Sequence, residues 1–295
     1  MSEIPRADKP GPPTMRPLGR APGVRRLITV WQLFNADKCP LLAAGIAFYA
    51  FLSLFPALFG LEFLYGLVAD PATLPAQIET ITSTIPGVAR AMIAEQLAAA
   101  ANSPRPVLGI GFIVAILTEL WSVSGVLGNL FDAVNTAYHV PERRRFIRRK
   151  LISLAAAVAT IVYMAAVAVL VVVTPQLVMR IPGPAIIGWL LEGLRWLVLI
   201  VLVVACVRSV YRFAPDRRPA TRPRLISVGA VVATSVWVVA SVGLSIYVST
   251  FGSHSETYGA LAGVAVLLIW LWLASYSILL GAEINSQLEL AVASS

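Results

Sequence analysis

The sequence predicts an all-α, polytopic membrane protein with six transmembrane helices. Of its 295 residues, 58% are hydrophobic and only 13% are charged, and the mean hydropathy is +0.80. A soluble domain normally has about a quarter of its residues charged. The apolar residues also fall in runs of about twenty, which is the length that crosses a hydrocarbon core about 30 Å thick. These observations exclude a wholly soluble protein.

Each predicted span must be a helix, because lipid offers the backbone no hydrogen-bond partner. Pro56 is expected to bend or end the first of them. Upstream, Leu27, Val30, Trp31 and Phe34 recur at helical spacing and predict a short amphipathic helix on the membrane surface. The six predicted spans cover residues 41–61, 107–130, 151–178, 186–207, 225–248 and 260–282.

The remaining segments complete the predicted domain organisation. Residues 1–23 hold six prolines and few large apolar side chains, so they are predicted to be a disordered cytoplasmic tail. Residues 24–289 form the six-helix transmembrane domain, and residues 290–295 a short cytoplasmic tail. Residues 70–106 are expected to form two short amphipathic helices on the extracytoplasmic side of the bundle.

Lysine and arginine placement predicts the orientation. Nineteen of the 23 basic residues lie in three segments, 1–38, 143–150 and 208–224, which the six-span topology puts on one side. Loops rich in Lys and Arg stay in the cytoplasm. Both termini are therefore predicted to be cytoplasmic.

Catalytic chemistry has little support in the sequence. The two histidines, His139 and His254, are predicted on opposite membrane faces about 30 Å apart, too far to share a metal. Two cysteines make no disulfide framework, and no phosphate-binding or metalloprotease motif is present. The chain is predicted not to be an enzyme, with no catalytic residue, cofactor or metal.

Polar residues on the second predicted span are the best functional lead, because each is costly in lipid. At 100° per residue, Thr118, Ser122, Gly125, Asn129, Asp132 and Thr136 fall within an arc of about 80°, with Glu119 about 60° beyond its edge. Two interpretations stay open: a polar pathway, or a seam of helix packing. The candidate pathway residues are Glu119, Ser122, Asn129, Asp132 and Asn135.

The basic turns are candidate contacts for anionic lipid headgroups, although the orientation rule explains them without any ligand. Membrane lipids are the expected partners, and the oligomeric state, including a homo-oligomer, stays open. No specific nucleic acid is expected, because the basic residues are not interleaved with aromatic stacking platforms. Glu283 is expected to pair with a cytoplasmic arginine. The candidate headgroup contacts are Arg143, Arg144, Arg145, Arg217 and Arg218.

Several motifs together resemble the YihY/virulence factor BrkB family of bacterial inner-membrane proteins, once labelled ribonuclease BN-like. The resemblance covers about residues 38–289 and rests on stretches at 42–56, 121–138, 211–216 and 258–285. It departs from the family at His254, where an aromatic residue is usual. The resemblance implies structural roles for the motif residues Ser53, Pro56, Tyr258, Gly259, Gly281, Glu283 and Asn285.

The resemblance further implies a role in envelope integrity and in moving anionic lipid or lipid-linked material. The leading hypothesis is therefore a transporter or flippase-like protein for an anionic amphipathic substrate such as a lipid. One alternative is a structural or scaffolding envelope protein, in which every polar group serves packing. A more distant alternative is a membrane-associated ribonuclease, which the absence of a metal-ligand motif disfavours.

Overall fold

The computed structural model describes residues 23–68, 104–178, 185–216, 227–251 and 259–293. All regular secondary structure within these ranges is helical, which confirms the predicted fold class. The six predicted spans correspond to α2–α7, and each of these helices is long and apolar enough to cross a membrane. The seven helices in these ranges are α1 (Gly23–Ala36), α2 (Cys39–Val68), α3 (Arg105–Ala137), α4 (Phe146–Val178), α5 (Ala185–Phe213), α6 (Val228–Phe251) and α7 (Gly259–Ala293).

The outer surface of the bundle is apolar. Large side chains such as Trp189 and Val239 are 77% and 72% exposed. A contiguous surface of this kind would drive aggregation in water, whereas in a membrane it faces lipid tails. The surface therefore agrees with the span lengths, and the protein is a multi-pass membrane protein.

The six spans follow one another around the bundle. Each span contacts the next one in sequence, and α7 closes the arrangement by packing against α2, α3 and α6. In the most apolar stretch of each span, 6% is buried within the protein for α4 and for α5. The buried share is 22% for α2 and 17% for α3 and α7. The packed core is therefore built mainly from α2, α3 and α7.

The first span continues through its proline. α2 runs without a break from Cys39 to Val68, so Pro56 does not end the helix. A proline removes one backbone hydrogen bond, which a transmembrane helix tolerates when neighbouring helices hold it in place. The adjacent Ser53 is buried, and its Oγ donates a hydrogen bond to the Ala50 carbonyl at 2.8 Å.

The predicted amphipathic helix is present as α1 and is joined to the bundle. Its apolar side contacts α7, where Phe34 is fully buried. The Phe34 ring meets Tyr276 edge to face, with ring centroids 4.8 Å apart. Such aromatic pairs add to the free energy of burial by about 0.5–1.5 kcal/mol. α1 is therefore part of the packed structure.

The closest helix contact lies between α6 and α7. A Cβ on Gly229 would overlap the Gly281 carbonyl oxygen, and one on Gly281 would overlap the Gly229 carbonyl oxygen. Small residues allow this approach, which is how helices commonly associate in lipid. Asn285 secures it, because its Oδ1 accepts from the Gly229 N–H at 2.8 Å and its Nδ2 donates to Ser227 Oγ at 2.6 Å.

Some predicted features lie outside the described residues. These are most of the tail 1–23, the amphipathic helices predicted within 70–106, Arg217, Arg218 and Tyr258. Gly259 is the first residue of α7, and this helix continues to Ala293, into the segment predicted as the C-terminal tail.

The α6–α7 contact predicts that Gly281→Ala destabilises the protein by about 1–3 kcal/mol, the usual cost of overpacking. The new methyl group would overlap the Gly229 carbonyl, Tyr211 Oη and Ala233 Cβ. Thermal unfolding in detergent measures the effect. Gly263→Ala in the same helix is the matched control, since nothing lies within 4 Å of its added Cβ. Equal melting temperatures for the two variants would contradict the prediction.

Candidate functional site

Five parts of the chain meet at one end of the bundle, which we name the polar end (residues 37–40, 135–149, 211–216, 227–229 and 272–287). Trp272 Nε1 in α7 donates to the Pro40 carbonyl at 3.1 Å, and Tyr211 Oη donates to the Ile278 carbonyl at 2.6 Å. The α3–α4 turn joins the same end through Arg144, which contacts Ala214. All three segments with predicted basic excess thus contribute described residues here.

Asn135 is a cross-link at the polar end. Its Nδ2 donates to Glu142 Oε2 at 2.9 Å, and its Oδ1 accepts from the Asp216 backbone N–H at 3.0 Å. The side chain is buried. Asn135 was a candidate for the polar pathway, but its hydrogen-bonding groups are used to join α3, the α3–α4 turn and the end of α5. We therefore assign Asn135 to the fold.

Arg144 is held in the same network. Its Nε lies 3.2 Å from Asp216 Oδ1, and its Nη2 donates to the Ala214 carbonyl at 2.8 Å. The side chain is only 7% exposed. A guanidinium bound in this way cannot also gather headgroups, so Arg144 leaves the set of candidate lipid contacts. Arg143 and Arg145 are exposed and stay in it.

Asp216 is the acidic centre of this network. The Arg143 backbone N–H donates to its Oδ2 at 2.9 Å, and this hydrogen bond is the main cause that lowers the pKa of Asp216 below 3.8. The Arg144 guanidinium lowers this pKa further. The carboxylate is therefore charged at neutral pH and holds the α3–α4 turn against the end of α5.

The polar stripe of α3 lies at the edge of the protein instead of within its core. Ser122, Asn129 and Asp132 are partly buried, whereas Thr118 and Thr136 are exposed. The two exposed threonines satisfy their hydroxyls on their own helix. The residues of the stripe are thus partly buried or exposed, and none of these five is fully buried.

Two cations from the first turn of α4 lie against α3. Arg149 forms an ion pair with Asp132, which is 43% exposed. Lys150 Nζ lies 4.1 Å from the centre of the Trp121 ring, a cation–π geometry. The predicted stripe of neutral and acidic residues is therefore accompanied by positive charge.

Glu119 lies on α3 beside the stripe. Its Oε2 is buried and has no hydrogen-bond partner among the residues that the structure describes. Glu119 lies 13 positions before Asp132 on the same helix, about 20 Å along the axis at 1.5 Å per residue. The stripe therefore extends across most of a hydrocarbon core about 30 Å thick.

A second cluster lies at the polar end. Asp37, His139 and Glu283 each offer a ligand atom, and these three atoms lie within 4.8 Å of one another. His139 Nε2 is 3.1 Å from Asp37 Oδ2. Within the described ranges Glu283 forms no ion pair with an arginine, so the expected pairing is not found; its Oε1 accepts from Gln287 Nε2 at 3.3 Å.

Backbone strain accompanies this cluster. His139 and Lys38, which follows Asp37, have φ of 53° and 54°, and they are the described non-glycine residues with positive φ. A left-handed conformation costs a side-chain-bearing residue about 1–3 kcal/mol and persists only where the surroundings impose it. Burial raises the pKa of Asp37, and His139 partly offsets this rise.

The sequence reasoning missed this cluster, because it placed the two histidines on opposite faces and considered no other histidine partner. A usable signal was present. The predicted topology puts Asp37, His139 and Glu283 at the ends of different spans on the same membrane face.

The family model described as Virulence factor BrkB matches residues 30–294 of this chain. The chain belongs to the virulence factor BrkB family. This membership confirms the resemblance inferred from the sequence motifs. It also agrees with the all-helical membrane fold.

Curated relatives of this BrkB-family chain carry two kinds of name. A putative ribonuclease-like protein, YfkH, of Bacillus subtilis (strain 168) is 31% identical over 259 residues, covering 84% of this chain and 89% of the relative. A UPF0761 membrane protein of Stenotrophomonas maltophilia (strain K279a) is 26% identical over 264 residues, covering 88% of this chain and 59% of the relative. The chain thus spans about three fifths of that second relative. No solved structure matches.

We predict that Arg144→Gln destabilises this BrkB-family protein by about 1–3 kcal/mol, the usual value for buried hydrogen bonds to charged groups. The change breaks the contacts with Asp216 and the Ala214 carbonyl. Arg145→Gln is the matched control; this neighbour is exposed, and its substitution is expected to stay within about 0.5 kcal/mol. Denaturant or thermal unfolding in detergent separates the two, and equal losses would contradict the assignment.

The lowered pKa of Asp216 predicts a pH-dependent contribution to stability. A carboxylate with a lowered folded-state pKa stabilises the fold above its unfolded value, here 3.8, and loses that effect as pH falls through the folded value. The stability difference between the wild type and Asp216→Asn should therefore be largest near about pH 7 and shrink below 3.8. Melting temperatures across this range provide the measurement. A constant difference would show that the charge has no such role.

Proposed function

We propose that this protein is a bacterial inner-membrane transporter of flippase type, which moves an anionic amphipathic substrate of the lipid class. It is not an enzyme in this proposal. The observation that carries the proposal is the partly exposed polar stripe of α3 with the cations Arg149 and Lys150 of α4 against it. The structural or scaffolding alternative predicts instead that these polar groups serve only the packing of the helices against one another.

The position of the stripe suits a lipid substrate. A flipping lipid keeps its tails in hydrocarbon while its polar headgroup crosses along protein. Polar side chains that reach the surface of a span are costly unless they meet a polar partner. Asp132, Asn129 and Ser122 are partly exposed along α3, so a headgroup travelling beside this helix would meet them while the tails stay outside.

The charges of the stripe favour an anionic headgroup. Arg149 is paired with Asp132, and the two side chains are both more than a third exposed, at 35% and 43%. A phosphate binds an arginine at least as well as a carboxylate does, through charge-assisted hydrogen bonds. An anionic headgroup can thus replace Asp132 as the partner of Arg149. Asp132 and Glu119, which lies about 20 Å further along the helix, are then the candidates for gating this movement.

The orientation follows from the same charges. Arg143 and Arg145 are exposed at the polar end, and each basic residue near a membrane surface attracts anionic lipid by about 1 kcal/mol. Arg217 and Arg218 belong to the other predicted basic turn. By the positive-inside rule the polar end is cytoplasmic, as are both termini.

Reconstitution into liposomes tests the function. Vesicles containing fluorescent phosphatidylglycerol, quenched from outside with dithionite, report movement between leaflets. We expect the protein to accelerate this movement and Arg149→Gln to slow it at least about tenfold, since a charged hydrogen bond contributes about 1.5–3 kcal/mol. Glu192→Gln, which removes an ion-pair partner of Arg195 in α5, is the control and should leave the rate unchanged.

The same assay separates the rivals. Rates equal to those of protein-free vesicles, for phosphatidylglycerol and phosphatidylcholine alike, would contradict transport and favour the scaffolding role. That role has its own support in the close α6–α7 contact, where the two helix backbones meet at Gly229 and Gly281. A wild-type rate in Arg149→Gln would show that movement does not use the stripe.

The printed name of the Bacillus relative raises ribonuclease activity as the other candidate. Among the described residues, the acidic and histidine groups able to hold a catalytic metal are Asp37, His139 and Glu283, and Glu283 is fully buried. An RNA phosphate needs direct access to the catalytic metal. Labelled RNA incubated with the purified protein and Mg²⁺, Mn²⁺ or Zn²⁺ is therefore expected to stay intact.

A further inference from the structure

We propose that Asp37, His139 and Glu283 form a binding site for one divalent transition-metal ion of the Zn²⁺ class. The site goes beyond the transport proposal and does not depend on it. It joins three parts of the chain: the turn between α1 and α2, the turn between α3 and α4, and α7.

The spacing of the three ligand atoms suits a single ion. Zinc binds histidine nitrogen and carboxylate oxygen at about 2.0–2.2 Å, which puts two ligands of a tetrahedral ion roughly 3.3 Å apart. His139 Nε2 and Asp37 Oδ2 are 3.1 Å apart, close to that separation. The carboxylate of Glu283 completes a group within 4.8 Å, so small side-chain rotations bring it into range.

Glu283 is the observation that points to a bound cation. Its side chain is fully buried, and its Oε2 has no hydrogen-bond partner within the described ranges. A buried carboxylate is costly unless it is paired or coordinates a metal. In the part of the chain that the structure describes, no lysine or arginine forms an ion pair with it. A metal ion between Glu283, His139 and Asp37 supplies the missing positive charge.

The ligand types select the class of ion. An imidazole nitrogen with two carboxylates suits zinc and neighbouring transition metals, whereas Mg²⁺ and Ca²⁺ prefer sites built from oxygen alone. His139 Nε2 is the nitrogen that faces Asp37, and its Nδ1 is buried with no hydrogen-bond partner among the described residues. Three protein ligands leave a fourth position, which water fills in zinc sites of this type.

The site would act on the polar end as a whole. Asp37 and His139 lie in turns that contain the left-handed residues Lys38 and His139, and Glu283 lies deep in α7. An ion bound to all three would hold these strained turns against α7. We infer that the ion stabilises the arrangement of α1, α3 and α7, and that its removal loosens the polar end.

Metal binding to the full-length protein tests the site. The protein is purified in detergent, its affinity tag is cleaved, and it is treated with chelator before titration with ZnCl₂ in a calorimeter. We expect one Zn²⁺ per chain. His139→Gln and Glu283→Gln should each weaken Zn²⁺ binding by at least about tenfold. Loss of a residue that only hydrogen-bonds a metal ligand already lowers metal affinity by about this factor, and loss of the ligand itself should cost at least as much. Glu192→Gln is the control. The Glu192 carboxylate lies about 30 Å along α5 from the end of that helix that joins the polar end, so this variant should bind Zn²⁺ as the wild type does.

A second measurement protects the test against variants that fold poorly. Zn²⁺ should raise the melting temperature of the wild type, because a ligand that binds the native state stabilises it, and should not raise that of Asp37→Asn. Co²⁺ bound to the wild type should show the visible absorption of a tetrahedral site and lose it on adding Zn²⁺. A wild type that binds no stoichiometric Zn²⁺, or variants that bind it equally well, would overturn the proposal. Lipid movement is measured separately, so this failure leaves the transport proposal unaffected.

Discussion

Helices in lipid are not driven together by the hydrophobic effect, and the structure of this protein depends on how that constraint is met. Association in a bilayer relies on close packing and on hydrogen bonds between helices. In the described residues both are concentrated at the polar end. There the α6 and α7 backbones meet at Gly229 and Gly281, and Asn285 bonds across them. The rest of the bundle presents apolar side chains to lipid, and its backbone hydrogen bonds are satisfied within each helix.

This concentration has consequences for the proposed transport. α2, α3 and α7 provide most of the buried surface, whereas α4 and α5 are buried very little. The stripe of α3 lies beside α4, at the boundary between the tightly packed and the loosely packed helices. A headgroup can displace the Asp132–Arg149 ion pair there without disturbing the core. The proposed metal site lies at the polar end, where it would hold α3 and α7 together.

Hydropathy and charge spacing were sufficient for the architecture but not for the helix ends. The second predicted span stopped at residue 130, yet α3 continues to Ala137, since hydropathy measures the apolar stretch and a helix continues into the polar boundary. The prediction of α1 was confirmed, because it rested on the spacing of apolar residues, and helical spacing places those residues on one face of the helix. Pro56 does not end α2, because the effect of a proline depends on the neighbouring helices that support the span.

The sequence by itself determined six apolar helices, the polar stripe on α3 and the predicted one-sided distribution of charge, because each is a property of local spacing. The tertiary structure alone decided which polar groups meet. Arg144 and Arg145 are identical and adjacent, yet only Arg144 faces Asp216, 72 residues away. Glu283 lies near His139 and Asp37 instead of an arginine. Such pairings depend on which helix ends become neighbours when the bundle closes, and local spacing carries no information about that.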